Sequence, residues 1–379
     1  MGENNCPKPQ VKPSRTVSRR EFLKLATLTA GLVASGCTPR WLREAGASTP
    51  TPLSPAVRST VALAQATSYD RKLIKQKVQS VVDGAGGLAG VIRPGARVAL
   101  KVNLTGGLHF SPPQGFSAPE SYVTHPEVVR AMGELLRDAG AKEIFIVEGL
   151  YDQESSPAWG YEQLARELDA ELIDLNSPQP YSDFIKTPTG SGWLAYEYFW
   201  LNPILQEVDA LVSVAKMKCH YQCGITLSMK NLVGLAPVSR YRLDGEHWWR
   251  SAFHGSEDET KTRLPKVIVD LNRAVPIDFA LIDGIMTAEG GESPRGSFNP
   301  VQPGILAAGA NPVAVDAVVT AAMGFDPLAE PPDLPFLRSD NYLSLACGLG
   351  MGSNRLADVE VVGPSLEDIE THFGPAWEM

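Results

Sequence analysis

From about Tyr69 onward, apolar runs of strand length alternate with amphipathic helical stretches, and this alternation limits the available folds more than any other feature. Residues 70–82 place Leu73, Ile74, Val78, Val81 and Val82 at helical spacing, and residues 97–104 read as a strand. The next helix has clear ends. Thr124 or His125 can cap it, Pro126 and Glu127 suit its first turn, and Gly140 stops it. Strands are expected at 143–147, 172–175, 195–201, 211–215, 279–283, 304–308 and 359–363. Helices are expected at 161–168, 266–274 and 312–323, the last capped by Asn311 and stopped by Gly324. The pattern predicts an α/β fold, a mixed and mostly parallel sheet with helices on both faces. Two lobes around a cleft are a further expectation. A polar excursion at 236–262, with His247, Trp248, Trp249 and His254, interrupts the rhythm and suits a cover over a site.

The N-terminus follows a different logic. Ser18-Arg-Arg-Glu-Phe-Leu-Lys24 sets paired arginines before a short apolar stretch at 25–36, which falls below the ~20 apolar residues a bilayer-spanning helix needs. Basic, apolar and small residues in that order describe an export signal over 1–36, of the twin-arginine type. Its partner is then the twin-arginine export machinery. Ala34-Ser-Gly-Cys37 ends it like a lipoprotein cleavage box, although such boxes usually carry Leu where Ala34 stands. Cys37 is thus the expected lipidation site, holding the protein to the outer side of the cytoplasmic membrane, in the periplasm or at the cell surface. Residues 38–68, rich in Pro, Ser and Thr, read as a tether before an α/β domain at 69–379.

Charge excludes one class of partner. With the six Lys/Arg and two acidic residues of 1–36 set aside, 28 basic face 41 acidic side chains, a net −13. So acidic a body is no nucleic-acid binder, yet a local cationic cleft can still take an anion. Cys219, Cys223 and Cys347 remain after the first two cysteines, an odd number that makes no disulfide framework.

That cleft is expected where Val214-Ala-Lys-Met-Lys-Cys-His-Tyr-Gln-Cys-Gly-Ile-Thr-Leu-Ser-Met-Lys-Asn-Leu-Val-Gly234 follows a strand, because ligands of open α/β sheets sit at strand carboxyl ends. Lys216, Lys218, His220, Lys230 and Asn231 suit an anionic small molecule, or a lysine of lowered pKa acting as base. Glu148 and Asp283 close two strands, and Lys101 and Asn103 end a third. Thr124 and His125 begin a helix, and Glu289, Gly290 and Gly291 open a glycine-rich loop that also holds Glu292 and Arg295, for which a plain surface turn is the rival reading. Lys230, His220 and Asp283 are the candidate catalytic residues. Cys219, His220 and Cys223 form a weak candidate set for a metal ion or an iron–sulfur centre. Asp316 interrupts an apolar helix face, where a salt bridge is as good a reading as function.

These residues fall in blocks that resemble a known family. Lys101-Val-Asn103, Thr124-His-Pro-Glu-Val-Val129, Lys216-Met-Lys-Cys-His220, Lys230-Asn-Leu-Val-Gly234, Leu281-Ile-Asp-Gly-Ile285, Glu289-Gly-Gly291 and Asn311-Pro-Val-Ala-Val-Asp316 stand in the order of the family known as domain of unknown function 362. The resemblance implies an α/β fold, with ferredoxin-type iron–sulfur segments in some members and a largely undefined activity. The family usually has Thr where this chain has Cys219, so a cysteine ligand is no shared requirement. A remoter similarity, of fold alone, is to nickel-dependent lactate racemases. The sequence therefore predicts an exported enzyme acting on an anionic small molecule. A lipoprotein that only binds such a ligand and an iron-binding electron carrier are the alternatives.

Overall fold

The computed structural model describes residues 58–256, 259–294 and 298–376. The export signal at 1–36, Cys37, the tether up to residue 57 and Arg295 lie outside them. Eight strands form the main sheet: β1 (Ser59–Gln65), β2 (Arg97–Lys101), β3 (Glu143–Glu148), β4 (Glu171–Asp174), β5 (Ala210–Lys216), β6 (Phe279–Gly284), β7 (Ile305–Gly309) and β8 (Val359–Val362). Their spatial order is β8-β1-β7-β6-β5-β2-β3-β4. All run in one direction except β7, which pairs antiparallel with both β1 and β6. The expected mixed, mostly parallel sheet is present. It is continuous, and the described residues form one compact unit rather than two lobes.

The first strand corrects the tether. Residues 59–65 pair with β7 and β8, and Val61, Ala62 and Leu63 are buried. The Pro/Ser/Thr-rich stretch runs straight into a strand of the core.

Side-chain alternation explains the layers. In β2, Val98 and Leu100 face one core and Ala99 the other. In β5, Val212 and Val214 oppose Leu211 and Ala215 in the same way, because successive strand residues point to opposite faces. One face is covered by helices α1 (Arg71–Gly84), α2 (Pro126–Asp138) and α3 (Tyr161–Leu168). The other is covered by a short helix α4 (Ser228–Asn231) with α5 (Arg263–Ala274), α6 (Pro312–Ala322) and α7 (Tyr342–Gly348). Asp70 caps α1, Asn311 caps α6, and the His125 ring accepts the Glu127 N–H at the start of α2. No helix among the described residues is long and apolar enough to cross a membrane.

One expected strand is displaced. Of residues 195–201 only Tyr198–Leu201 is extended, and it pairs with Ile185–Pro188 outside the main sheet. The backbone N–H groups of Leu194, Ala195 and Tyr196 all donate to the buried Asp270 carboxylate of α5. A carboxylate that takes these donors removes them from any ladder.

Candidate functional site

The chain leaves β5 at Lys216 and turns into a small hairpin, Lys218–His220 against Gly224–Thr226, before α4. Gly224 makes that turn at φ +79°, and a Cβ there would lie 2.7 Å from the Pro335 carbonyl oxygen. This geometry sends the candidate lysines to different places.

Lys216 and Asp283 are partners across β5 and β6, with Nζ 3.0 Å from Oδ2 and both side chains fully buried. The Lys216 ammonium also donates to the Tyr69 hydroxyl at 3.0 Å and the Pro119 carbonyl at 2.8 Å. Asp283 in turn accepts the Tyr69 hydroxyl and the His125 backbone N–H. The Tyr69 and His125 rings stack at 3.6 Å. The three N–H groups of Lys216, the Asp283 carboxylate and the Tyr69 hydroxyl are thus all engaged within the protein. Asp283, proposed above as catalytic, and Lys216, Thr124 and His125, proposed as ligand-binding, are absent from the walls of the cavity described next. Thr124 is occupied in joining the Asn103 N–H to the Val214 carbonyl.

A cavity of about 550 Å³ opens beside this cluster, over the ends of β2 and β3. Its floor is a buried network. Lys101 Nζ donates to Glu148 Oε2 at 3.0 Å, to Asn231 Oδ1 at 3.1 Å and to the Val102 carbonyl. Glu148 also accepts the Leu104 and Gly149 N–H groups. Asn231 anchors itself on the Lys101 carbonyl and the Ser213 hydroxyl. Gly234 lies directly on the ion pair, since a Cβ there would come 2.1 Å from Glu148 Oε1 and 2.7 Å from Lys101 Nζ. Lys218 stands one step behind the floor, donating to Asn103 Oδ1 and to the Tyr122 and Glu292 carbonyls.

Burial draws Lys101 down to about 8, against the pull of Glu148, and burial with the nearby Lys230 charge draws Lys218 down to about 7. Even so, all three N–H groups of each have an oxygen acceptor. A deprotonated amine would leave one of those acceptors bare, so the geometry holds the ammonium form. Lys230 is the opposite case. It is half-buried on α4, lines the cavity, and has no hydrogen-bond or salt-bridge partner among the described residues.

The buried Asp316 sets α4 in place. Its carboxylate accepts the Ser228 N–H at 2.9 Å, the Met229 N–H at 3.0 Å and the Ser228 hydroxyl. Asp316 therefore makes a cap for the helix bearing Lys230 and Asn231, rather than a salt bridge.

The remaining walls come from the hairpin, the 289–293 turn and the excursion. His220 Nδ1 accepts the Gln222 and Cys223 N–H groups, at 3.1 and 3.2 Å. Burial and Lys230 hold this imidazole well below its ordinary pKa. Glu292 accepts the Tyr221 N–H through Oε2, and its other oxygen has no partner among the described residues. Trp248, Trp249, Arg250 and His254 cover the cavity from the excursion. Arg250 ties that segment down by donating to the Ala236 and Gly149 carbonyls. The Thr226 hydroxyl is buried in the wall and has no hydrogen-bond partner among the described residues.

Metal ligation by Cys219, His220 and Cys223 does not survive this geometry. Cys219 and His220 are successive strand residues and point to opposite faces. The Cys219 thiol meets the Gly374 carbonyl, the Cys223 thiol meets the Ile225 carbonyl, and burial pushes both up to about 12. Among the described residues no three His, Cys, Asp or Glu side chains gather as a metal site. The glycine-rich loop is likewise occupied elsewhere. Glu289 accepts the Gly374 N–H, and neither it nor Gly290 and Gly291 line the cavity.

The cavity residues all fall within one family-matched stretch. Residues 98–321 match the family described as Domain of unknown function (DUF362). This chain belongs to that family. A thylakoid-associated protein of Synechocystis is 26% identical over 274 residues, 72% of this chain and 77% of its own. Two solved structures show a more distant similarity: a Thermotoga maritima protein (TM-score 0.37, 13% identity, 62% of this chain and 55% of that one) and the lactate racemase apoprotein of Thermoanaerobacterium thermosaccharolyticum (TM-score 0.36, 14% identity, 66% and 54%). The chain thus spans little more than half the length of either solved structure.

Of the predicted residues, Lys101, Asn103, Glu148, His220, Lys230 and Asn231 do meet in the cavity. Sequence reasoning passed over Tyr151, Gln222, Thr226 and Arg250, and left Glu292 open between the site's glycine-rich loop and a plain surface turn. The excursion's tryptophans and His254 were signalled only by their crowding in a polar interruption.

Proposed function

We propose that the chain is an enzyme whose cavity takes an anionic small molecule, with Lys230 receiving the anion. One observation carries this reading. Lys101, Lys216 and Lys218 each have three acceptors within the protein, whereas Lys230 faces the cavity with none among the described residues. An ammonium held in a partly dry cleft favours an anion as its counter-charge.

The surroundings suit proton chemistry in a limited way. His220 spends Nδ1 as an acceptor, so its neutral ring carries the proton on Nε2 and can donate but not accept. That narrows its expected catalytic part to donating a proton. Glu292, with one carboxylate oxygen unpartnered among the described residues, is a wall residue able to accept a proton in the same cavity as Lys230. Outside the cavity, we assign export to the twin-arginine signal and membrane tethering to Cys37. The thylakoid association in the Synechocystis relative's name is compatible with a membrane-proximal role.

Calorimetric titration of a panel of small carboxylates and phosphates against the intact protein and Lys230→Ala tests the reading. Binding weakened at least tenfold in the variant supports it, and unchanged binding contradicts it. Turnover lost in Glu292→Gln with affinity retained marks an enzyme; a variant that loses only affinity marks the non-catalytic binder.

A further inference from the structure

Two histidines face the cavity, and their outer hydrogen bonds give them opposite tautomers. His220 Nδ1 accepts two backbone N–H groups, which leaves its proton on Nε2. His254 Nδ1 lies 3.3 Å from the Arg250 carbonyl oxygen. A carbonyl can only accept, so this Nδ1 carries the proton and the His254 Nε2 is a bare acceptor. Both Nε2 atoms are without partners among the described residues, and both rings line the cavity. Burial and the Lys230 charge keep the pair neutral, His254 falling to about 3.

The pair is also built to hold its spacing. Ring centroids are 6.3 Å apart with planes 24° from parallel. Gln222 joins the two segments, its backbone N–H donating to His220 and its side-chain amide to the His254 and Thr260 carbonyls. Trp249 packs edge-on against His254 at 4.6 Å. A donor and an acceptor that open on the cavity, each unmet by the described residues, are matched best by a molecule that offers both partners.

Resting on the reading of Lys230 as the anion-receiving group, we infer that the ligand is an anionic amide. His220 Nε2–H donates to the amide carbonyl, His254 Nε2 accepts the amide N–H, and the carboxylate lies on Lys230. A plain carboxylate would leave His254 unmatched, and so would an ester.

The test uses the intact protein and matched probes, namely small N-acyl amino acids and the esters in which oxygen replaces the amide N–H. Calorimetry should give amides about tenfold tighter than esters, the worth of roughly one buried hydrogen bond. His254→Leu should erase that preference while leaving ester affinity in place. His254→Gln, which keeps an acceptor, should restore part of it. Equal affinity for amide and ester in the wild-type protein overturns the inference, as does binding of neither while simple carboxylates still bind. In both cases Lys230→Ala still reports on the anion site by itself. If Lys230→Ala changes no affinity while amides remain preferred, the site reading fails and the histidine pair stands.

Discussion

Two lysine clusters occupy the same edge of the sheet, and they differ in whether the protein itself completes them. Around Lys216, the Asp283 carboxylate, the Tyr69 hydroxyl and the Pro119 carbonyl leave no hydrogen-bonding capacity over. Around Lys230 the walls present an ammonium, two imidazole nitrogens and a carboxylate oxygen of Glu292, all unmatched among the described residues. The first cluster pins β5, β6 and the start of α1 and α2 together. The second, on the function proposed above, is completed by a ligand. Residue type alone does not separate structure from function here; the supply of partners does.

The largest break in that comparison should come from Asp283→Ala. It strands a fully buried ammonium, and losing one member of such a pair costs about 3–5 kcal/mol. Urea denaturation measures it. Lys230→Ala, by contrast, should shift stability by no more than about 0.5 kcal/mol, because no partner is left behind. Comparable losses for both would erase the distinction. Between these extremes lies Gly234→Ala. Its new methyl meets the Lys101–Glu148 pair, and overpacking of that kind costs about 1–3 kcal/mol. The same urea denaturation, with ligand titration beside it, should show weakened binding as the floor shifts. An unperturbed variant would mean that the floor is more pliant than its contacts suggest.

The sequence revealed part of this arrangement, and its silence has physical causes. Strand-end residues such as Lys101, Glu148, Lys216 and Asp283 were legible because a charged side chain directly ends an apolar run. Which of them face a ligand was not legible. That choice is made by backbone carbonyls of Pro119, Tyr122 and Glu292, which any residue type could supply. The closeness of Cys219, His220 and Cys223 in sequence suggested a ligand set, and a two-strand hairpin sends neighbouring side chains to opposite faces. Strand β1 went unseen because Val61-Ala-Leu-Ala64 follows directly on a Pro/Ser/Thr-rich stretch. Helices with caps and a Gly stop were read nearly to the residue, since those signals are local.

Amine accessibility tests the central claim most directly. Brief reductive methylation of the native protein with formaldehyde, followed by peptide mass spectrometry, reports each lysine separately. Lys230 should methylate readily and become protected when an anionic ligand binds, while Lys101, Lys216 and Lys218 stay unmodified until the protein unfolds. Protection of Lys230 equal to that of Lys216 in the ligand-free protein, or ready labelling of Lys101 and Lys218, would contradict the account.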